Sequence, residues 1–184
     1  MGKLFANYRV YLRALELDDY KETIKWHTDD EIWDMVVSNK RYVSKDYEKK
    51  WVEDKIFNNG NNITLGVCIK ENDKLIGQVA LNNVSIENRS AEFSKMIGDK
   101  DYWGKGLAKE ATMLMLHHGF FDLGLERIQA KQLLDNPASI HVNMKCGFKS
   151  EGILRKVLYK KGELVDLNLM SVLKEDYFNL INEK

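Results

Sequence analysis

Residues 101–111, which read DYWGKGLAKEA, place two glycines around a lysine directly before a run of strong helix formers. A helix N-terminus presents backbone N–H groups that have no intrahelical partner, together with a partial positive charge. Gly104 and Gly106 leave the turn without side chains and Lys105 adds a cation, so the pattern predicts a site for a phosphate or pyrophosphate. A plain tight turn is the alternative interpretation of Gly-X-Gly.

Two familiar phosphate-binding patterns do not fit this turn. The dinucleotide-binding pattern needs a third glycine where Lys109 stands. The Walker pattern needs glycine in place of Asp99 and serine or threonine in place of Gly106. Any anion site at this turn is therefore of another kind.

The whole chain has the composition of a globular protein. Of its 184 residues, 44% are hydrophobic and 30% charged, and we expect one domain spanning residues 1–184. Basic and acidic residues balance at 28 each, so no overall basic field favours nucleic acid. No apolar run is long enough to span a bilayer and the N-terminal residues lack the apolar core of a signal peptide, so we expect a cytoplasmic protein without a membrane partner.

The cysteines and histidines do not have the spacing of a metal site. Cys68 and Cys146 lie far apart without a CxxC motif, which is typical of buried thiols in a reducing compartment. His117 and His118 are adjacent, so in a helix they point to different faces. We expect no bound metal.

Hydrophobic patterning around the glycine turn predicts a mixed α/β sheet, because strands first follow one another in hairpins and then alternate with helices. Strands are predicted at residues 8–13, 63–70, 75–81, 89–98, 127–133, 152–159 and 164–173. Helices are predicted after Asp18 and Asp19, after the glycine turn, and from Asn136 to Gly147. Residues 29–58 are expected to form further helix and loop.

Three ordered segments resemble the GNAT superfamily of N-acetyltransferases, and in particular the branch that acetylates ribosomal-protein N-termini. They are WGKGLA at residues 103–108, NPAS at 136–139 followed by KCGF at 145–148, and YKKGELVD at 159–166. The resemblance implies an α/β (α+β) GNAT fold with a central, mostly antiparallel sheet of about seven strands, flanked by helices and splayed into a V-shaped acetyl-CoA cleft. It also implies an acetyl-CoA-dependent N-acetyltransferase.

By this resemblance, acetyl-CoA would contact three parts of the chain. The pantetheine arm would bind to the backbone of Met96, Ile97 and Gly98. The pyrophosphate would meet the turn and the start of the following helix, at Trp103, Gly104, Lys105, Gly106, Leu107, Ala108 and Lys109. The thioester and adenosine ends would be flanked by Asn136, Ser139 and Lys145. Alternatively, Met96 and Ile97 are core residues and Lys145 only complements a helix dipole.

Acetyl transfer needs a neutral amine, a polarised carbonyl and a proton for the departing thiolate. Glu92 is the best-placed carboxylate for a catalytic base, although an ion pair with Arg89 or another cation is an equal alternative. In many family members a tyrosine occupies the position of Asn143, so the resemblance leaves that acid role to Ser139. Ser139 could instead only bind the cofactor or cap its helix.

The acceptor is less constrained by the sequence. Trp33, Asn83 and Tyr159 are candidate substrate contacts, with the core as the alternative for the aromatic residues. We expect a protein N-terminal α-amine or a small-molecule amine as acceptor, attacking the thioester directly. A non-catalytic acyl-CoA sensor is one alternative.

A polyamine (spermidine) N-acetyltransferase is the other alternative. The polyamine branch has acidic residues in a strand where this chain has Ala80, Asn82 and Asn83, which disfavours a polycation unless acidic residues between 29 and 34 replace them. A solvated helix face is the plainer interpretation of those acidic residues. A homodimer is plausible from the final strand and the aromatic N-terminal region.

Overall fold

The computed structural model describes residues 4–182, and its centre is a seven-stranded mixed sheet in the order β1-β2-β3-β4-β5-β7-β6. The strands are β1 Val10–Ala14, β2 Ile63–Ile69, β3 Leu75–Ser85, β4 Ser90–Ile97, β5 Arg127–Leu133, β6 Lys149–Lys160 and β7 Glu163–Leu173. Neighbouring strands are antiparallel except β4 and β5. The expected α/β class and the mostly antiparallel sheet are confirmed.

The parallel pair β4–β5 separates along its length. Backbone pairing joins residues 90–92 to residues 127–129 and does not extend to the C-terminal halves of the two strands. Residues 93–97 of β4 and 130–133 of β5 do not pair with each other, which leaves a V-shaped gap in the middle of the sheet. A gap at this point exposes backbone N–H and C=O groups to whatever binds between the strands.

Helices cover both faces of the sheet. They are α1 Tyr20–His27, α2 Asp30–Met35, α3 Lys45–Phe57, α4 Leu107–His117, α5 Pro137–Met144 and α6 Lys174–Asn182. The main core includes Phe93 and the buried side of α4, whereas a smaller cluster joins Trp26 and Ile32 with Met96 against it. Because Phe93 and Met96 point to opposite faces of β4, the two clusters lie on opposite sides of the sheet.

Most predicted elements are present with shifts of a few residues at their ends. α6, a short helix that directly follows β7, was not predicted from the sequence. Tyr177 of α6 is completely buried, its ring centroid 5.4 Å from that of Phe120, so tertiary packing stabilises a helix whose local signal is weak. Within residues 4–182, no helix is long and apolar enough to cross a bilayer.

Candidate active site

Two adjoining cavities open where β4 and β5 separate. The first, about 530 Å³, is lined by the glycine turn, the end of β4 and α5, and is called the turn cavity. The second, about 370 Å³, is lined by Trp33, by residues 35–38 and by the faces of β3, β4 and β5, and is called the loop cavity. Both cavities share the residues Ile32, Met35, Val36, Lys95, Met96 and Ser139. A molecule in one cavity can therefore meet a molecule in the other at these residues.

The turn cavity collects most of the predicted cofactor residues. These are Met96, Ile97, Trp103, Gly104, Gly106, Leu107, Ala108, Asn136 and Ser139. Four others lie outside its lining: Gly98, Lys105, Lys109 and Lys145. The Lys105 ammonium group lies 5.2 Å from the ring centroid of Tyr102, and Lys145 is exposed beyond the end of α5.

The glycine turn has the geometry of an anion site. Gly104 and Gly106 have φ angles of 70° and 79°, a left-handed conformation that residues with a Cβ rarely adopt. A Cβ at Gly104 would meet no atom within 4 Å, so the space beside the backbone is open. The first hydrogen bond of α4 runs from Lys109 N to Gly106 O at 3.1 Å, which leaves the N–H groups of Leu107 and Ala108 available. This concave N–H site suits the diphosphate of acetyl-CoA.

Two contacts hold the glycine turn in position, and neither was predicted from the sequence. The guanidinium group of Arg9 donates to the Lys105 carbonyl at 2.6 Å and forms an ion pair with Glu110 at 2.6 Å. The indole N–H of Trp103 donates to the carbonyl of Ile97 at 2.7 Å. Arg9 therefore links the turn to the start of β1, and Trp103 links it to the end of β4.

The backbone of β4 presents alternate residues to the gap. Gly98 N–H donates to the Ile76 carbonyl at 2.9 Å, so this predicted cofactor donor is already used within the sheet. In an antiparallel ladder the hydrogen-bonding direction alternates, so the backbone groups of Ile97 and Lys95 point away from β3 and into the gap. Gly98 has a packing role, because a Cβ there would overlap the Trp26 ring at 2.1 Å.

Glu92, the predicted base, lines the loop cavity and forms an ion pair with Lys131 of β5. Their closest atoms lie 2.8 Å apart, across the point where the two strands begin to separate. The cation that pairs with Glu92 is therefore Lys131, and Arg89 pairs instead with Glu126. The geometry fits the ion-pair alternative and also places the carboxylate where an amine could reach it.

Ser139, the predicted acid, lies in the first turn of α5 and lines both cavities. Its backbone N–H donates to the Asn136 side chain at 3.0 Å, the N-cap contact that the Asn-Pro sequence predicts. Its hydroxyl group donates to the Gln132 amide oxygen at 2.6 Å. The hydroxyl proton is therefore directed at β5 in this structure.

Lys95 lines both cavities, as Ser139 does, and was not recognised from the sequence, where it is one residue of a predicted strand. It is half-buried, and its ammonium group donates to the side-chain oxygen of Asn143 on α5. Asn143 is completely buried, and its amide nitrogen has no hydrogen-bond partner. Burial lowers the pKa of Lys95 to about 8.

The predicted acceptor residues are only partly brought together. Trp33 lines the loop cavity, and its indole N–H donates to the His27 carbonyl at 2.7 Å. Asn83 lies at a bulge of β3 with φ of 52° and is exposed outside both linings, whereas Asn82 lines the loop cavity. Tyr159 on β6 is 59% exposed and also lies outside them.

A buried network supports the far wall of the loop cavity. Glu48 of α3 is completely buried, accepts a hydrogen bond from the Thr23 hydroxyl at 2.5 Å, and lies 2.6 Å from Nδ1 of His27. The His27 ring also packs against Trp51, with ring centroids 5.3 Å apart. These contacts join α1 to α3 and orient two aromatic groups toward the cavity.

The acidic residues between 29 and 34 are all paired with lysines. Lys100 lies 2.7 Å from Asp29 and 2.9 Å from Glu31, Lys161 lies 2.7 Å from Asp34, and Lys40 pairs with Asp30. None of these carboxylates lines either cavity. Within residues 4–182, no group of three or more His, Cys, Asp or Glu side chains has the arrangement of a metal site.

This fold and cleft are those of an acyl-CoA-dependent N-acyltransferase, and comparison with known proteins agrees. Residues 9–149 match the acetyltransferase (GNAT) domain family, to which the chain belongs. It is 32% identical over 170 residues to an uncharacterized N-acetyltransferase, p20, of Bacillus licheniformis, covering 92% of this chain and 95% of that one. It is 31% identical over 101 residues to the ribosomal-protein-serine acetyltransferase of Escherichia coli, covering 55% and 56%.

A solved structure gives the same result. The spermidine N-acetyltransferase of Vibrio cholerae, in complex with CoA and spermine, superposes with a TM-score of 0.84 at 27% identity, covering 93% of this chain and 99% of that one. The expected GNAT fold is confirmed, and the chain is an acetyl-CoA-dependent N-acetyltransferase.

Proposed function

We propose that the chain transfers the acetyl group of acetyl-CoA directly to a primary amine, and that this amine is a protein N-terminal α-amine or a small-molecule amine with a nearby anionic group. The observation that carries the proposal is the junction of the two cavities at Lys95, Met96 and Ser139. Acetyl-CoA fits the turn cavity, and an amine in the loop cavity reaches the thioester without an acetylated enzyme intermediate.

The charges around the loop cavity support an anionic group on the acceptor. Its lining includes Lys55, Lys95, Lys131 and Glu92, and Lys131 neutralises Glu92. Lys55 forms no ion pair with a carboxylate among the described residues, so the lining has an excess of positive charge. A carboxylate on the acceptor would be attracted, whereas a polycation would be repelled.

The same charges argue against a polyamine acceptor, although the Vibrio cholerae structure contains spermine. The carboxylates between residues 29 and 34 already have lysine partners. A polyamine would have to displace those lysines and then enter a cavity that carries the ammonium group of Lys55.

The basicity of the acceptor amine also favours an α-amine over a polyamine. An amine with pKa about 10.4 is neutral in about one molecule in 10³ at pH 7, which adds about 4 to 5 kcal/mol to the barrier. An α-amine with pKa about 7.7 to 8 adds about 1 kcal/mol. Because Glu92 is ion-paired, an acceptor that loses its proton easily suits this cavity best.

The test is release of CoA thiol from acetyl-CoA with matched peptides that differ only at the second residue, which is acidic, neutral or basic, alongside spermidine and free amino acids. The buried thiols of Cys68 and Cys146 require an enzyme-only blank. We expect turnover highest with the acidic peptide or an amino acid. Highest turnover with spermidine would contradict the acceptor class, and acetyl-CoA binding without any turnover would indicate the sensor.

A matched pair of variants tests the role of Lys55. Lys55→Glu reverses one unpaired charge of the loop cavity, so we expect a higher KM for the acidic acceptor and a lower one for spermidine. Lys50→Glu changes the same helix but removes contacts with Glu53 and Asp54 outside the cavity. An equal response of the two variants would contradict the proposal.

A further inference from the structure

We propose that Lys95 is the general acid of the reaction: its ammonium group donates a proton to the CoA sulfur as the thioester bond breaks, and Asn143 is the residue that positions it. This inference rests on the proposed function and adds a residue to it. Three features of the site support this role of Lys95: its location, its hydrogen-bond partner and the buried amide nitrogen of Asn143.

The first feature is location. Lys95 lines both cavities, and its backbone groups face the gap between β4 and β5. Its side chain extends to α5 on the face of the sheet that bears Phe93, because residues 93 and 95 of a strand point to one side. Glu92 points to the other side, where it meets Lys131. An acid on the α5 side can reach the sulfur while the amine attacks the acetyl carbon from the loop cavity.

The second feature is the partner of Lys95. An ammonium group inside a protein normally pairs with a carboxylate, which makes it a weaker acid. Here the partner is the neutral amide oxygen of Asn143, and the Phe93 ring centroid lies 5.7 Å from the ammonium nitrogen. Desolvation has the larger effect and lowers the pKa of Lys95 to about 8. The thiol of Cys146, just beyond the end of α5, is the titratable group that raises this pKa.

The third feature is the Asn143 amide nitrogen, which is buried without a partner although its oxygen is used. The amide oxygen faces Lys95 because an ammonium group can only donate and needs an acceptor. Ser139 is the competing acid, but its hydroxyl proton is directed at Gln132.

The proton balance is complete with these groups. The amine nitrogen forms a bond to the acetyl carbon, and the carbon–sulfur bond breaks with its electron pair remaining on sulfur. Lys95 gives one proton to that sulfur to form the CoA thiol. The acetylated nitrogen releases its surplus proton to Glu92 or water, and the neutral Lys95 amine then takes a proton from solvent. A cysteine-like thiol has a pKa about 8.5, so a lysine near pKa 8 is matched to this transfer.

The experiment compares Lys95→Met with wild type at saturating acetyl-CoA and acceptor, together with direct measurement of acetyl-CoA affinity. We expect kcat to fall about 10²-fold with affinity nearly unchanged. Lys149→Met, which removes an exposed ion pair with Asp176, is the control and should retain wild-type kcat. Wild-type kcat in Lys95→Met would overturn the assignment of Lys95 alone, whereas a wild type that acetylates no amine would overturn the proposed function and with it this role.

The pH profile separates an acid from a structural lysine. Wild-type kcat should fall as the pH rises through about 8, because the ammonium form is lost there. Deprotonation of the acceptor amine has the opposite sign and increases the rate with pH. Asn143→Asp places a negative charge beside Lys95, raises its pKa, and should move the falling limb to higher pH. A falling limb that stays in place in Asn143→Asp would overturn the proposal, and this variant keeps Lys95 itself if Lys95→Met does not fold.

Discussion

The ammonium group of Lys160 donates a hydrogen bond to the carbonyl of Trp33, 127 positions earlier in the chain, at 2.7 Å. It also donates to the carbonyls of Val36 and Ser38, each at 3.0 Å. These three carbonyls follow one another along the segment that lines the loop cavity. One nearly buried lysine at the end of β6 therefore fixes the segment that shapes the acceptor side of the active site.

Lys160→Met should loosen this segment. Three carbonyls of the segment lose their donor, so we expect a loss of about 1–3 kcal/mol in the free energy of unfolding and a higher KM for the amine. Lys161→Met removes only an exposed ion pair with Asp34, worth about 1 kcal/mol or less, and serves as the control. Chemical denaturation and acceptor KM measure the two effects. Equal behaviour of the two variants would contradict the anchoring role of Lys160.

Arg9→Ala should weaken acetyl-CoA binding without changing the chemistry. Arg9 contacts the Lys105 carbonyl and Glu110, so its loss lets the glycine turn move relative to β1. Because Arg9 is largely exposed, we expect about 1 kcal/mol, which corresponds to a KM for acetyl-CoA raised about fivefold. Arg155→Ala, at an exposed position on β6, is the control. An unchanged acetyl-CoA KM in Arg9→Ala would show that the turn keeps its position without this contact.

Gly106→Ala tests the conformation of the turn. Gly106 precedes α4 with φ of 79°, and an alanine there costs about 1–2 kcal/mol because its Cβ disfavours left-handed backbone. We expect lower stability and about tenfold weaker acetyl-CoA binding, as the turn shifts to relieve the strain. Gly60→Ala places the same strain, at φ of 55°, in a loop remote from the turn. That control should lose stability while binding acetyl-CoA normally, which calorimetric titration can establish.

Glu92→Gln and Lys131→Met distinguish a base from an ion pair. If Glu92 accepts the amine proton, as the sequence predicts, Glu92→Gln lowers kcat/KM about 10²-fold. Lys131→Met releases the carboxylate from its partner and should leave kcat at or above the wild-type value. Equal losses of activity in both variants would mean that the reaction depends on the ion pair between Glu92 and Lys131 rather than on Glu92 as a base. Steady-state kinetics with one good acceptor decide between the outcomes.

The homodimer expected from the sequence has a candidate surface on β6, one of the two edge strands of the sheet. Ile153, Val157 and Tyr159 of this strand are each about half exposed or more. An exposed edge strand with apolar side chains is suited to pair with another chain. We expect light scattering to give about twice the 21.4 kDa chain mass, and a mass near 21.4 kDa would exclude the dimer.

The sequence predicted the elements that have strong local signals. The glycine turn before α4, the Asn136-Pro137 start of α5 and the alternating strands depend on neighbouring residues, so their backbone form and order could be predicted. The nine cofactor residues that line the turn cavity belong to these same segments. The sequence did not predict α6, because burial of Tyr177 rather than a capping signal stabilises this helix.

Tertiary structure alone decided which distant residues act together. Arg9 meets the glycine turn, Lys160 meets the loop after α2, and Lys95 meets Asn143 only after the sheet has formed and β4 and β5 have separated. Each of these contacts joins residues that lie far apart in sequence and carry no local pattern. By itself, the sequence determined the order of the elements and the form of the anion site, because both are properties of contiguous segments, and its resemblance to a known family predicted the sheet that the strands form. The charge of the acceptor cavity and the proton donor beside the thioester follow from long-range packing.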